Sequence, residues 1–374
     1  MIFLDNASTT KIRPEAISEI ERSHALFYNP SALSGKSLEV RREIDGAKQK
    51  ICKALGVDYN NNLIITGSAT EADNLAIFGS AKKTGDQFVF GAGEHQAVFA
   101  SANELKLRGY NVVFAPLNKF GEVDLNKLKE ILQKPTAFVS IMHVSNETGA
   151  INDISKISRL VKNLWPNAIV HSDGVQAFGK IQTNILKLGV DLYSISGHKV
   201  GGPKGIGALY VKNIAKLKPI IFGGGQEFGI RSGTENTAYI LALSKVVGAF
   251  EIEKNFEYVK KLSNIVRNYF EGKGGITINS PKSASPYILS LSFEGIRGET
   301  LVHILEEKGV IVGTGSACSS KKTTNRTLEA IGLSREQIEG AIRISFSHEN
   351  KEDEVLKACE IIEEGYKTLL EKLR

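Results

Sequence analysis

Two short stretches of this 374-residue sequence carry residues whose types and spacing could do chemistry. The first is Ser194-Ile-Ser-Gly-His-Lys199, followed by Val-Gly-Gly-Pro-Lys-Gly205. An apolar run ends in small polar residues, then a His-Lys pair, then a glycine-rich loop. In an open α/β sheet, ligands bind at the carboxyl ends of strands, which is where Lys199 would sit. Taken alone, Lys199 could equally be a solvated loop lysine, and the glycines could simply make a turn.

The second stretch is Ile169-Val-His-Ser-Asp-Gly-Val-Gln176. Here Asp173 closes an apolar strand, where burying a carboxylate is costly unless it is paired. A lysine that can form a Schiff base and a carboxylate that can hold a pyridinium proton are the two groups pyridoxal phosphate asks of a protein. Its phosphate then needs donors. Gly67-Ser-Ala-Thr-Glu71 lies between a strand and a helix. Backbone N–H groups at a helix N-terminus, with Ser68 or Thr70 as hydroxyl donors, would supply them. The segment also reads as a plain capping box from Ser68 to Glu71, and one segment can serve as both.

The elements that must position these groups alternate. Leu63–Thr66, Phe88–Phe90, Val112–Ala115, Phe138–Val144, Ile169–His171, Leu192–Ile195 and Gly207–Val211 read as buried strands. Between them, Thr70–Lys82, His95–Arg108 and Ile154–Leu164 read as helices. This rhythm implies a mainly parallel central sheet covered on both faces, an α/β fold. After Gly248 the rhythm changes. A charged helical stretch, Glu251–Gly272, leads to Tyr287–Phe293, a helix Glu299–Lys308, the run Val310–Val312 and a C-terminal amphipathic helix. A single core stops growing at roughly 250–300 residues, so two domains are expected. We assign 12–254 to a large domain, and 1–11 with 255–374 to a smaller α+β domain.

Composition narrows the class. With 42% apolar and 24% charged residues, most of the chain should be ordered. The net charge of +6 is mild, and no basic run occurs, so direct nucleic-acid binding is not expected. The stretch Tyr239–Phe250 is interrupted by Lys245 and too short to span a bilayer. No secretory signal is visible, and Cys52, Cys318 and Cys359 are too few for a disulfide framework, so a cytoplasmic location is expected. Several motifs fail on inspection. Gly35-Lys36-Ser37 lacks the P-loop's first glycine, and Gly313-x-Gly315 has Cys318 where a dinucleotide fingerprint needs its third. His171 and Asp173 have no third ligand nearby in sequence, so no metal site is expected.

The chain resembles the cysteine desulfurases, fold type I pyridoxal-phosphate enzymes of the class V aminotransferase group. The resemblance rests on Leu4–Thr10, Asn29-Pro-Ser31, Ser68–Glu71, Glu94-His95, Asn146-Glu-Thr-Gly149, Asp173–Gln176, Ser196–Lys199 with Gly202–Gly205, Gly223–Glu227, Arg231–Asn236, Gly315-Ser-Ala-Cys-Ser319 and Ala341–Ser345, in one order along nearly the whole length. It implies that Lys199 carries pyridoxal phosphate and moves the substrate's Cα proton. Asp173 pairs with the ring nitrogen, and His95 stacks on the ring and assists proton transfer. Asn146 and Gln176 contact the phenolic oxygen or the substrate carboxylate. Ala69, Thr70, Ser196 and His198 bind phosphate, and Thr234 reaches the phosphate of a neighbouring subunit in a homodimer. Asn29 and Arg343 hold the carboxylate of L-cysteine.

Cys52 falls in step with Ile44, Ile51 and Leu55 on a helix, and Cys359 lies in the C-terminal helix; both read as small core or interface residues. Cys318 stands in a Gly/Ser-rich stretch with no apolar stripe to bury it, and the resemblance makes it the nucleophile. The implied reaction turns L-cysteine into L-alanine and leaves a persulfide on Cys318. A sulfur-acceptor protein, of iron–sulfur scaffold or tRNA-thiolation type, would collect it. The other reactions implied for this group are transamination and selenocysteine cleavage. The sequence departs from the family at Ser145, commonly asparagine, at Ser34, commonly histidine, and in a shorter run after Cys318.

Overall fold

The computed structural model describes residues 1–58, 62–82, 85–314 and 325–373. Its strands form two sheets, one of seven strands and one of five. The first strand, β1 (Ile2–Leu4), belongs to the smaller sheet. The larger sheet holds β2 (Leu63–Thr66), β3 (Gln87–Gly91), β4 (Asn111–Ala115), β5 (Thr136–Ser140), β6 (Ile169–Asp173), β7 (Leu192–Ser196) and β8 (Gly207–Val211). Their order is β2-β8-β7-β6-β5-β3-β4. Strands β3 to β7 pair in parallel, and β8 runs antiparallel to both of its neighbours. The reversal has a local cause: the link from β7 to β8 is a tight loop, and a parallel return needs a crossover of about a dozen residues or more.

The sequence pattern locates these strands to within a few residues. The run 138–144 is the largest departure, because regular pairing ends at Ser140. Beyond it, Ile141 and His143 still donate their N–H groups to the carbonyls of His171 and Asp173, at 3.2 and 2.8 Å. Helices such as Ala69–Ser80, Gln96–Leu107 and Ile154–Leu164 cover the sheet. The packed core runs on both faces of the sheet, with Val139, Val170 and Ile195 on one side and Phe88, Phe90 and Phe138 on the other. Fully burying such a side chain contributes roughly 1.5–3 kcal/mol.

The smaller sheet has the order β1-β11-β12-β10-β9, with β9 (Ile276–Ile278), β10 (Ile288–Phe293), β11 (Val310–Thr314) and β12 (Ala341–Ser345). Only the β1–β11 pair is parallel. The helices Ile252–Phe270, Gly298–Glu307 and Glu352–Leu373 share a separate core with it, built on residues such as Phe270, Leu291, Leu305 and Ile362. Among the described residues, no helix is long and apolar enough to cross a membrane.

Candidate active site

The order of the larger sheet reverses between β3 and β5, where the chain crosses from β4 back past β3. The loops leaving β3, β6 and β7 at their carboxyl ends carry His95, Asp173 and Lys199. Asp173 is the last residue of β6 and 5% exposed. The glycine after it is required, because a Cβ on Gly174 would lie 2.0 Å from the ring of Tyr193. Tyr193 is thereby free to reach His143, Oη to Nδ1 at 2.8 Å. β7 ends at Ser196, and the turn Gly197–Lys199 follows. Gly197 has no room for a side chain either, since Ile206 Cγ2 would sit 2.7 Å from its Cβ.

The Asp173 Oδ1 accepts the Val175 N–H at 2.9 Å. Burial raises its pKa above the ordinary carboxylate value, while nearby His95 and Lys199 pull it back down. Deeper still lie Asp73 and Glu94, both buried, and burial pushes both pKa values well up. The repulsion of Asp173 adds to each. Burial thus biases both carboxyls toward their neutral form, while His95 and Lys199 favour the charged form of Asp173. His171 is buried beside Asp73, Nε2 to Oδ1 at 3.6 Å. Its Nδ1 lies 2.8 Å from Ser140 Oγ and its Nε2 3.0 Å from Ser194 Oγ, and burial pushes its pKa down to about 3.

His95 caps the helix Gln96–Leu107, with Nδ1 accepting the Ala97 N–H at 3.2 Å. That contact fixes the neutral tautomer with its proton on Nε2. Desolvation in the cleft lowers its pKa, opposed by Asp173 and assisted by Lys199, Arg326 and Arg343. Lys199 Nζ donates to the carbonyls of Ala7 and Ser8, at 2.7 and 2.6 Å. The Gln176 amide donates to the same Ala7 carbonyl at 2.9 Å. His198 Nδ1 lies 3.1 Å from Thr9 Oγ1. The segment after β1 thus reaches across to the end of β7.

Arg343, in β12, brings the smaller sheet to the same place. Its Nη1 donates to the Asn146 carbonyl at 2.9 Å, and its Nη2 to Asp5 Oδ1 at 3.1 Å and Ser8 Oγ at 2.7 Å. Its Nε is buried, with no hydrogen-bond partner among the described residues. The Asn146 side chain donates to Glu147 Oε1 at 2.6 Å, and Glu147 Oε2 accepts from Asn325 at 2.8 Å. Burial raises the Glu147 pKa to about 7, against the pull of Arg343.

At the start of the helix Ala69–Ser80, Ser68 Oγ accepts the Glu71 N–H at 3.1 Å. The N–H groups of Ala69 and Thr70 precede the first intrahelical bond and are left as donors. The Glu71 carboxylate bonds the Gly67 N–H at 2.8 Å and pairs with Arg231 at 2.7 Å. Ser68 thus caps the helix, but Glu71 takes the Gly67 N–H rather than that of Ser68, so the expected capping box is only half formed, and the Ala69 and Thr70 N–H groups remain as donors.

Lys199, Asp173 and His95 lie within electrostatic reach of one another and of Arg343, which holds Asn146, while Gln176 shares the Ala7 carbonyl with Lys199; Ser196 and His198 stand beside the lysine in sequence. Asn29 and Thr234 stand apart. Both are exposed, and among the described residues no hydrogen bond joins either to another expected site residue. Cys318 lies outside the described residues. Cys52 and Cys359 are buried, and burial pushes their thiol pKa values up to about 11 and about 12. Two of the departures from the family turn out to be turn residues: Ser34 caps the helix Gly35–Ala54, and Ser145 Oγ accepts the Glu147 and Thr148 N–H groups. Glu147, Lys180, Asp73 and Tyr193 were not singled out from the sequence. Only Lys180 left a signal there, four residues after Gln176.

The donor set fits pyridoxal phosphate. A buried carboxylate, a lysine on a loop, free N–H donors at a helix start and an arginine with an unpartnered Nε match a ring nitrogen, an aldehyde, a phosphate and a substrate carboxylate in turn. The model for aminotransferase class-V matches residues 2–357. A protein named cysteine desulfurase IscS from Dictyoglomus turgidum is 35% identical over 100% of this chain and 95% of its own. A NifS/IcsS protein homolog from Lactobacillus delbrueckii subsp. bulgaricus is 38% identical over 98% of this chain and 97% of its own. Among solved structures, a NifS-like protein superposes with a TM-score of 0.91 at 31% identity, covering 98% of this chain and 99% of that one. The NifS-like protein from Rickettsia africae does so with 0.88 at 30%, again over 98% and 99%. Family model, relatives and fold agree over the full length, and the chain belongs to the class-V aminotransferases and, within them, to the cysteine desulfurase family.

Proposed function

We propose that the protein is a pyridoxal-phosphate-dependent sulfurtransferase that takes sulfur from L-cysteine and releases L-alanine. The observation that carries this reading is that Lys199 and Asp173, at the ends of β7 and β6, lie close to His95 and to Arg343 of the smaller sheet. Bound there, the cofactor would supply an electron sink for the carbanion at the substrate's Cα. Lys199 would carry it and move the Cα proton at Nζ. Asp173 would hold the proton of the ring nitrogen, its charged form favoured by His95 and Lys199. His95, neutral and anchored through Nδ1, would hand over and recover a proton at Nε2. Asn146 and Gln176 would contact the phenolic oxygen or the substrate. Ala69, Thr70, Ser196 and His198 would hold the phosphate. Arg343, with Asn29, would orient the substrate carboxylate.

Cys318 would complete the reaction as thiolate. Its sulfur forms a bond to the substrate's sulfur while the substrate's C–S bond breaks. The bonding pair stays with carbon, which takes up a proton and leaves as alanine. The described residues flanking Cys318 support this role: a Cβ on Gly313 would touch Asp5 and Arg343, and Asn325 bonds Glu147. The solved structure titled as SspA in complex with cysteine, 28% identical, is a related chain with that amino acid bound. Exposed Thr234 fits a contact with the phosphate of a second subunit, so the working form would be a homodimer. The persulfide would pass to an acceptor protein in the cytoplasm. The two-domain division at 12–254 fits the two separate cores.

The test is mass spectrometry of the protein after one exposure to L-cysteine. One added sulfur on the peptide containing Cys318 is expected; a persulfide on Cys52 or Cys359 instead would refute the assignment.

A further inference from the structure

The turn after β6 holds a lysine that the reading above does not use. Ala177 and Phe178 donate their N–H groups to the Gly174 carbonyl, and Lys180 and Ile181 donate theirs to Ala177. This single helical turn brings Lys180 back over Gln176, four residues earlier. Lys180 Nζ donates to Gln176 Oε1 at 2.7 Å. The lysine is 5% exposed and shares a cavity with Lys199, Thr10 and Tyr287. Among the described residues no carboxylate pairs with it. Burial, and the facing charges of Lys199 and Arg343, push its pKa down to about 7. The Tyr287 ring centroid lies 5.9 Å from Nζ. A buried ammonium between two like charges costs stability, so its presence calls for a use of its donors.

Gln176 has one acceptor oxygen and two N–H donors on its amide. Lys180 occupies the oxygen, so the amide cannot flip without burying two donors against each other. One N–H is spent on the Ala7 carbonyl at 2.9 Å. With the oxygen turned toward Lys180, the second N–H is the group left to meet a ligand. We propose that Lys180 is a positioning residue that locks the Gln176 amide so that it presents an N–H to the phenolic oxygen of pyridoxal phosphate. This rests on the reading of Lys199 as the cofactor-bearing lysine. A hydrogen bond to the phenolate stabilises it, and so lowers the pH at which the lysine-bound cofactor titrates.

The experiment follows the near-visible absorbance of the holoenzyme across pH. Lys180→Met is expected to raise the midpoint by about one pH unit, roughly the worth of one hydrogen bond. Lys180→Arg, which keeps the donor, is expected to bring it back close to the parent. Loss of a nearby charge would by itself also raise the midpoint, so the double variant decides. If Lys180 acts through Gln176, adding Lys180→Met to Gln176→Leu moves the midpoint by less than about 0.3 unit. A full, additive shift overturns the proposal. Gln176→Leu alone must raise the midpoint, and an unchanged value there overturns it even where Lys180→Met does not fold. A parent holoprotein whose band survives Lys199→Ala would refute the cofactor reading itself, and this inference with it.

Discussion

Lys199 donates a hydrogen bond to the carbonyl of Ala7, 192 residues earlier, at 2.7 Å. The Ala7 N–H in turn donates to Ser345 Oγ in β12 at 2.8 Å. A chain of three groups therefore links the loop after β7 to the smaller sheet. The lysine is held between the two sheets even before it meets a ligand.

Lys199→Ala is expected to abolish the near-visible band of the cofactor-loaded protein and its turnover. The methyl group has no amine to bond an aldehyde. Far-UV circular dichroism should stay that of the parent, because Lys199 is only half-buried, the Ala7 carbonyl keeps the Gln176 donor, and Ser8 is exposed to water. Retention of both band and turnover would sink the assignment.

His95→Ala is expected to bind cofactor and L-cysteine yet turn over about 10²–10⁴-fold more slowly, the usual worth of a positioned acid–base group. Steady-state kinetics of alanine release measure it. A rate within a factor of two of the parent would remove His95 from the catalytic set.

The three cysteines should separate cleanly. Cys318→Ala is expected to stay yellow and respond spectrally to L-cysteine, while alanine release falls to near background for want of an oriented nucleophile. Cys52→Ala and Cys359→Ala should keep turnover close to the parent, since both thiols are buried and held protonated. Normal alanine release by Cys318→Ala would refute Cys318 as the nucleophile.

His171 gives a prediction in pH. Its folded pKa of about 3 lies below the 6.5 of an unfolded histidine, so the ring is neutral in the fold. The stability this contributes is complete above pH 6.5 and is lost as pH falls toward 3. Asp73 and Glu94, with raised pKa values, act in the opposite sense, and a comparison with His171→Asn isolates the histidine. The stability gap between parent and variant should shrink by about 2 kcal/mol between pH 6.5 and pH 5, at roughly 1.4 kcal/mol per pH unit. Urea midpoints across that range measure it; a constant gap would mean that His171 does not titrate with unfolding.

The sequence by itself determined the strand ends that bear Asp173 and Lys199, because both follow apolar runs of the right length and are trailed by turn residues. It also determined that Cys52 and Cys359 are core residues, since each falls in step with apolar neighbours on a helix. Those signals are local: they depend on periods of two or 3.6 residues and on capping chemistry. The tertiary structure alone decided that Ala7 and Ser8 close on Lys199, that Arg343 reaches Asn146, and that β8 runs against its neighbours. Glu147 and Asp73 became visible only once burial raised their pKa values, and burial depends on which elements pack around them. A carboxylate in a sequence looks the same whether water or protein surrounds it, and contacts across hundreds of residues leave no period in the chain to read.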